Sequence, residues 1–166
     1  EVVADQSASD HYALVADAGS TGTRMYLFRL AEPDGKLEVT DVGKGPALSG
    51  FQEHPERAAE AVTKQIAKAT TLIPQAFQRS VPVSVFATAG MRLVPRETQQ
   101  AIYKGLRAGL LAKAYPFDAE ALSARTISGR AEGVFALIAA NYLAKRLHTT
   151  LHVASGSLMG VLDLGG

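Results

Sequence analysis

The chain has 166 residues, 47% of them hydrophobic and 20% charged, which excludes an intrinsically disordered segment and suits a globular domain of ordinary size. Its 17 Lys and Arg stand against 16 Asp and Glu, a net charge of +1, so there is no basic excess to meet a nucleic-acid backbone and that class of partner is excluded. Cys is absent, which removes disulfides and thiolate metal sites. Charge leans weakly along the chain: residues 1–83 hold 8 basic and 11 acidic groups, residues 84–166 hold 9 and 5. The longest apolar run, Gly133 to Ala140, is far short of the roughly 18 residues of a membrane helix. With no initiator Met and an end at Gly165-Gly166 directly after an apolar run, the chain reads as a trimmed fragment.

In chain order, residues 1–10 are polar and aperiodic, a tail. Three strand-like runs follow: Tyr12 to Ala16, Arg24 to Leu30 and Lys36 to Val42. The second puts Met25, Leu27 and Arg29 on one face and Tyr26, Phe28 and Leu30 on the other, while the third opposes Leu37 and Val39 to Glu38 and Thr40. Glu32-Pro33-Asp34-Gly35 between them is turn chemistry, so the three runs predict an antiparallel meander. After Pro55 the period changes. Val62, Ile66 and Ile73 share a helical face over Glu56–Ile73, with Ala58, Ala59 and Ala69 beside them. Pro82 to Ala87 predicts a strand, Glu97–Lys113 a helix with Ile102, Leu106 and Leu110 in register, and Arg125 to Ile127 a short strand. Arg130–Leu147 predicts a helix apolar nearly all round and so largely buried, and Leu158 to Leu164 a closing strand. Early hairpins followed by strand–helix alternation give an α/β fold with a mixed sheet and helices on both faces, without a linker rich in Pro, Gly or Ser.

Four segments carry candidate chemistry. Asp17-Ala18-Gly19-Ser20-Thr21-Gly22-Thr23 joins two strands with two glycines that admit close backbone approach, three hydroxyls and one carboxylate. Successive N–H groups and hydroxyls in a tight turn suit phosphate oxygens, and a carboxylate at a strand end suits a hydrated divalent cation bridging them. The same composition also makes an ordinary hairpin turn. The loop lacks the Gly-Lys-Ser/Thr ending of a Walker loop and leads into a strand. Ala87-Thr88-Ala89-Gly90-Met91-Arg92 follows a strand, where open α/β sheets place ligands, with close packing as the plainer reading. Glu132, in Ser128-Gly129-Arg130-Ala131-Glu132-Gly133, reads either as a helix-start acid at N3 with Gly129 as cap, or as a general base whose pKa burial raises. Asp163-Leu164-Gly165-Gly166 repeats the strand–Asp–x–Gly pattern of Asp17-Ala18-Gly19, and two such carboxylates facing each other would cage a metal–phosphate unit. Gly43-Lys44-Gly45-Pro46 has the wrong spacing for a phosphate loop. His148 and His152 straddle a helix end without a third ligand nearby in sequence, so surface histidines are expected there.

DAGSTGT at 17–23, ATAGMRL at 87–93, SGRAEG…NYL at 128–143 and LDLGG at 162–166 resemble, in order, the first four conserved regions of the apyrase (CD39-like) nucleoside triphosphate/diphosphate diphosphohydrolases. The resemblance covers nearly all of the chain beyond residue 11. It implies the actin/Hsp70/hexokinase superfamily: an RNase H-like domain over 11–157, and at 158–166 the first strand and phosphate loop of a second domain facing it across a nucleotide cleft. It further implies that Gly19, Ser20, Thr21, Gly22, Thr23, Gly165 and Gly166 hold phosphates, and that Asp17 and Asp163 bind Mg²⁺ or Ca²⁺ through water. Glu132, helped by Thr88, would activate water for in-line attack on a nucleoside di- or triphosphate. The family's habit is to act outside the cytosol, secreted or in the secretory pathway. Ala131 stands where the family usually has a second acid and Leu137 where it has an aromatic. Arg24 is similar to the diphosphate-preferring branch. The resemblance leaves the fifth conserved region and the base-binding domain beyond Gly166, so the 166 residues alone are expected to hydrolyse nucleotide poorly. Exopolyphosphatase or guanosine pentaphosphatase, sharing Asp-x-Gly-Ser and a Glu, and a non-catalytic actin-like binding module are the alternatives.

Overall fold

The computed structural model describes residues 10–31, 35–113, 115–117, 122–147 and 157–162. Contacts divide the chain after Thr126 into two compact units. The first holds a five-stranded mixed sheet in the order β3-β2-β1-β4-β5. Strands β1 (His11–Gly19), β2 (Gly22–Ala31) and β3 (Lys36–Gly45) form the expected antiparallel meander, while β4 (Val83–Ala87) and β5 (Ser123–Thr126) run parallel to β1.

Period-two alternation sets the buried face. Leu14, Ala16 and Ala18 of β1 stand beside Leu27, Met25 and Thr23 of β2 and beside Val83, Val85 and Ala87 of β4, and all are buried. Helices α1 (Thr63–Leu72) and α4 (Arg96–Ala112) supply the rest of this core through Ile66, Ile102 and Leu106. Each such side chain contributes roughly 1.5–3 kcal/mol on burial. Tyr103 on α4 ties the helix to β5: its hydroxyl shares a 2.7 Å hydrogen bond with Thr126 Oγ1, which donates to Gln99 Oε1 at 2.6 Å. Burial raises the Tyr103 pKa above the ordinary phenol value, and the Thr126 hydrogen bond opposes that rise.

A β-bulge interrupts β2–β3. Tyr26 pairs with Asp41 but Met25 with Gly43, so Val42 is the extra residue, and Gly43 takes the left-handed φ of +129° that a side chain rarely adopts.

The helix expected over Glu56–Ile73 is instead two pieces. Pro55–Ala61 winds as a 3₁₀ helix, Val62 leaves helical geometry at φ −130°, and α1 begins at Thr63. The cause is close packing. A Cβ on Gly105 of α4 would lie 1.9 Å from the Pro55 carbonyl oxygen, and one on Gly109 2.5 Å from Ala59 Cβ, so the Ala-rich stretch is shaped to seat α4. The β-branched pair Val62-Thr63 adds little helical preference at the break. Two one-turn helices, α2 (Gln75–Gln78) and α3 (Ala89–Arg92), were not anticipated by periodicity, which needs longer windows.

The second unit contains α5 (Gly129–Leu143). Two expectations are corrected here. The helix stops at Leu143, not Leu147, because Lys145 takes φ +56° and the Arg146 and Leu147 amides return to the Asn141 carbonyl. It is also not largely buried: Asn141 is its buried residue, and Val134, Phe135 and Leu143 are exposed. Apolar composition records what a helix can bury; burial itself needs a neighbour. Residues 158–162 of the expected closing strand are irregular, since a strand exists only with a ladder partner, and 163–166 lie outside the described residues. No helix among the described residues is long and apolar enough to cross a membrane.

Candidate functional site

Gly19 pairs with Gly22, so Ser20 and Thr21 alone form the turn between β1 and β2. Both are exposed at the carboxyl end of a strand that is parallel to β4. The neighbouring loop is docked directly on it. The Thr88 amide donates to the Ala18 carbonyl at 3.1 Å, extending the β1–β4 ladder by one rung. Gly90 leaves no room for more: a Cβ there would lie 2.9 Å from Ser20 Cα and 3.1 Å from Ser49 Oγ. Thr88 is nine-tenths buried and precedes α3 without using its side chain as a cap. Two of the four candidate segments therefore form one substructure, as carboxyl ends of parallel strands do where α/β sheets build sites.

Asp17 is exposed, next to Ala18 on β1. The register places it in a rung that crosses the sheet: Lys44, Arg24, Asp17, Phe86 and Arg125, one from each strand. Residues paired in this way share a face, here the one opposite the Leu14–Met25 core. Arg125 stacks over the Phe86 ring at 5.2 Å, and Arg24 Nε lies 3.8 Å from Asp41 Oδ2. The Tyr26 hydrogen bond, with Tyr26, Asp41 and Asp17 charges behind it, raises the Arg24 pKa further. Three cations and one carboxylate share this rung, with Asp41 beside Arg24 on the same face.

Thr23 departs from the expectation. It is fully buried on the Leu14–Met25 face, opposite Asp17, because one step along a strand reverses the face. Its Oγ1 has no hydrogen-bond partner among the described residues, and it faces the core instead of a ligand at the turn.

In the second unit, Ser128, not Gly129, caps α5, accepting the Ala131 amide at 3.1 Å. Glu132 thus stands at N4, one place beyond the position a capping-box acid occupies. Asn141 is fully buried. Its Nδ2 donates to the carbonyls of Leu137 and Met159, both at 2.9 Å, and its Oδ1 accepts the Met159 amide at 2.7 Å. One amide side chain thereby holds both backbone groups of Met159, four residues before Asp163. Asn141→Leu removes that clamp, so amide exchange at Met159 should quicken markedly while Gly19 and Ala18 stay protected. Asp163, Gly165 and Gly166 lie outside the described residues, as do His148 and His152.

Among the described residues no three His, Asp or Glu side chains gather as metal ligands. The donor set that is present, one exposed carboxylate beside hydroxyls and turn amides, fits a divalent cation held mainly by water and phosphate oxygens better than an all-protein cage.

Sequence reasoning missed Lys44 and Ser49. Lys44 was set aside with Gly43 and Gly45 on motif spacing, whereas its signal is cross-strand register, readable only once the bulge is known.

A model of the GDA1/CD39 (nucleoside phosphatase) family matches residues 3–166. The chain is 36% identical over 169 residues to an ectonucleoside triphosphate diphosphohydrolase 5 of Mesocricetus auratus, covering 98% of this chain and 34% of that one. It is 37% identical over 158 residues to a guanosine-diphosphatase of Schizosaccharomyces pombe, covering 93% and 28%. Among solved structures, nucleoside triphosphate hydrolases from Neospora caninum superpose with a TM-score of 0.53 at 22% identity, over 84% of this chain and 32% of that one. The chain spans about a third of the length of these curated relatives.

Proposed function

This chain belongs to the GDA1/CD39 (nucleoside phosphatase) family, and from that membership we propose that it supplies the phosphate-binding lobe of a divalent-metal-dependent nucleoside di- or triphosphate phosphohydrolase. The observation that carries the reading is the Ser20–Thr21 turn, wedged against Thr88–Gly90 beside Asp17, whose rung also holds Lys44, Arg24 and Arg125. Ser20 and Thr21 hydroxyls and the turn amides bind terminal phosphate oxygens, with Gly19, Gly22 and the Thr23 amide shaping the loop. Asp17, with Asp163, would hold Mg²⁺ or Ca²⁺ through water, and the bound ion would neutralise charge spreading over the phosphoryl oxygens. Glu132 accepts a proton from water, helped by Thr88 in orienting it. The water oxygen bonds to the terminal phosphorus as the anhydride P–O bond breaks, releasing inorganic phosphate and the shortened nucleotide. Gly165 and Gly166 act in a second phosphate loop, completed by a second domain across the cleft. The reading carries with it a place of action outside the cytosol.

The test is phosphate release by the complete natural polypeptide. Nucleoside di- and triphosphates should be cleaved with Mg²⁺ or Ca²⁺, and activity should vanish on chelation and return with metal. Release from long-chain polyphosphate alone would move the chain to the exopolyphosphatase reading, and nucleotide binding without release to the non-catalytic one.

A further inference from the structure

We infer that Lys44 is a further phosphate-contacting residue of the Ser20–Thr21 turn, an inference that rests on reading that turn as the phosphate site. Lys44 is folded across Gly22. A Cβ on that glycine would lie 2.0 Å from Lys44 Cε and 3.1 Å from Cδ, so the glycine is what lets the stem pass. The ammonium is one bond beyond Cε, which keeps it within about 5 Å of the Gly22 Cα by addition of bond lengths. It therefore sits beside the residue that follows the turn.

The charge has no local use. The other basic residues of β2 and β3 each meet a carboxylate: Arg24 meets Asp41, Arg29 meets Asp10 and Glu38, and Lys36 meets Glu38. Among the described residues no carboxylate lies within ion-pair distance of Lys44. A lysine held over a glycine gives up side-chain entropy, which an unpartnered surface position does not return. An anion seated on the turn would return it.

The bulge explains how the residue comes to be there. Below it β3 pairs with β2 at Tyr26–Asp41, and above it at Arg24–Lys44. Without the extra residue Arg24 would face Gly43, and Lys44 would lie opposite Thr23 on the buried face. The ligand class is a polyphosphate, to which lysine contributes a compact point charge rather than a planar fork.

The experiment compares wild type, Lys44→Met, Lys44→Arg and Lys36→Met in the complete natural polypeptide. Inorganic pyrophosphate is titrated calorimetrically in the presence of magnesium, and KM and kcat are measured for a nucleoside diphosphate. Lys44→Met should weaken pyrophosphate binding or raise KM roughly tenfold or more, the scale of a lost charge-assisted hydrogen bond. Lys44→Arg should recover most of the loss, Lys36→Met should resemble wild type, and all four should unfold at the same temperature. Affinity and KM unchanged in Lys44→Met, or equally changed in Lys36→Met, would overturn the inference. Lys44-dependent pyrophosphate binding without nucleotide cleavage would sink the proposed hydrolysis and leave Lys44 standing; cleavage indifferent to Lys44 would do the reverse.

Discussion

Replacing Glu132 with Gln in the complete natural polypeptide should lower kcat by roughly 10²–10⁴-fold, the usual contribution of a positioned general base. Nucleotide and metal affinity should persist. The amide keeps the shape of the carboxylate but cannot take the proton of an attacking water. The helix gives this experiment a clean background. Ser128 accepts the Ala131 amide at the start of α5, and the substitution leaves that capping hydrogen bond in place. Steady-state kinetics beside equilibrium nucleotide binding provide the check. Turnover at the wild-type rate would remove Glu132 from the role of base. Asp17→Ala should show the opposite pattern, weakened metal–nucleotide binding at a position that no core contact depends on.

The largest expected effect on stability comes from Gly105→Ala. Mid-helix, Ala is normally favoured over Gly by about 1 kcal/mol. At this position the added carbon would meet the Pro55 carbonyl oxygen at 1.9 Å and its carbon at 2.6 Å, backbone atoms that cannot rotate away. The helix or the 3₁₀ segment must move, and overpacking of this kind costs about 1–3 kcal/mol. Gly133→Ala is the matched control, since nothing lies within 4 Å of a Cβ there and the normal helical preference should prevail. Urea midpoints should fall for the first variant and hold or rise for the second. A stabilised Gly105→Ala would mean that α4 is not seated on Pro55.

The meander, β4 and α4 were legible because their apolar residues alternate or recur over enough length to define a face. Met25 and Leu27, and Ile102, Leu106 and Leu110, are buried as their spacing implies. The split at Val62 was not legible, because it answers to two glycines more than forty residues later in the chain. The exposure of α5 was misread because hydrophobicity states a tendency and names no neighbour. At the site, the two-residue turn and its Asp were visible as chemistry, and the family resemblance supplied roles. The faces were not visible: Thr23 turned inward and Lys44 outward, each decided by a single step of register that no motif records.

The order of the strands has a consequence for how the protein assembles. β1 and β2 are joined by two residues and can pair within microseconds, whereas β1 meets β4 only after the intervening helices have been brought round, Leu14 to Val83. The turn and the Thr88 loop belong to opposite sides of that late closure. A nascent chain therefore carries a finished hairpin well before it carries a finished anion cradle, and ligand present during refolding should pull on the slow crossover step while leaving the fast local one untouched.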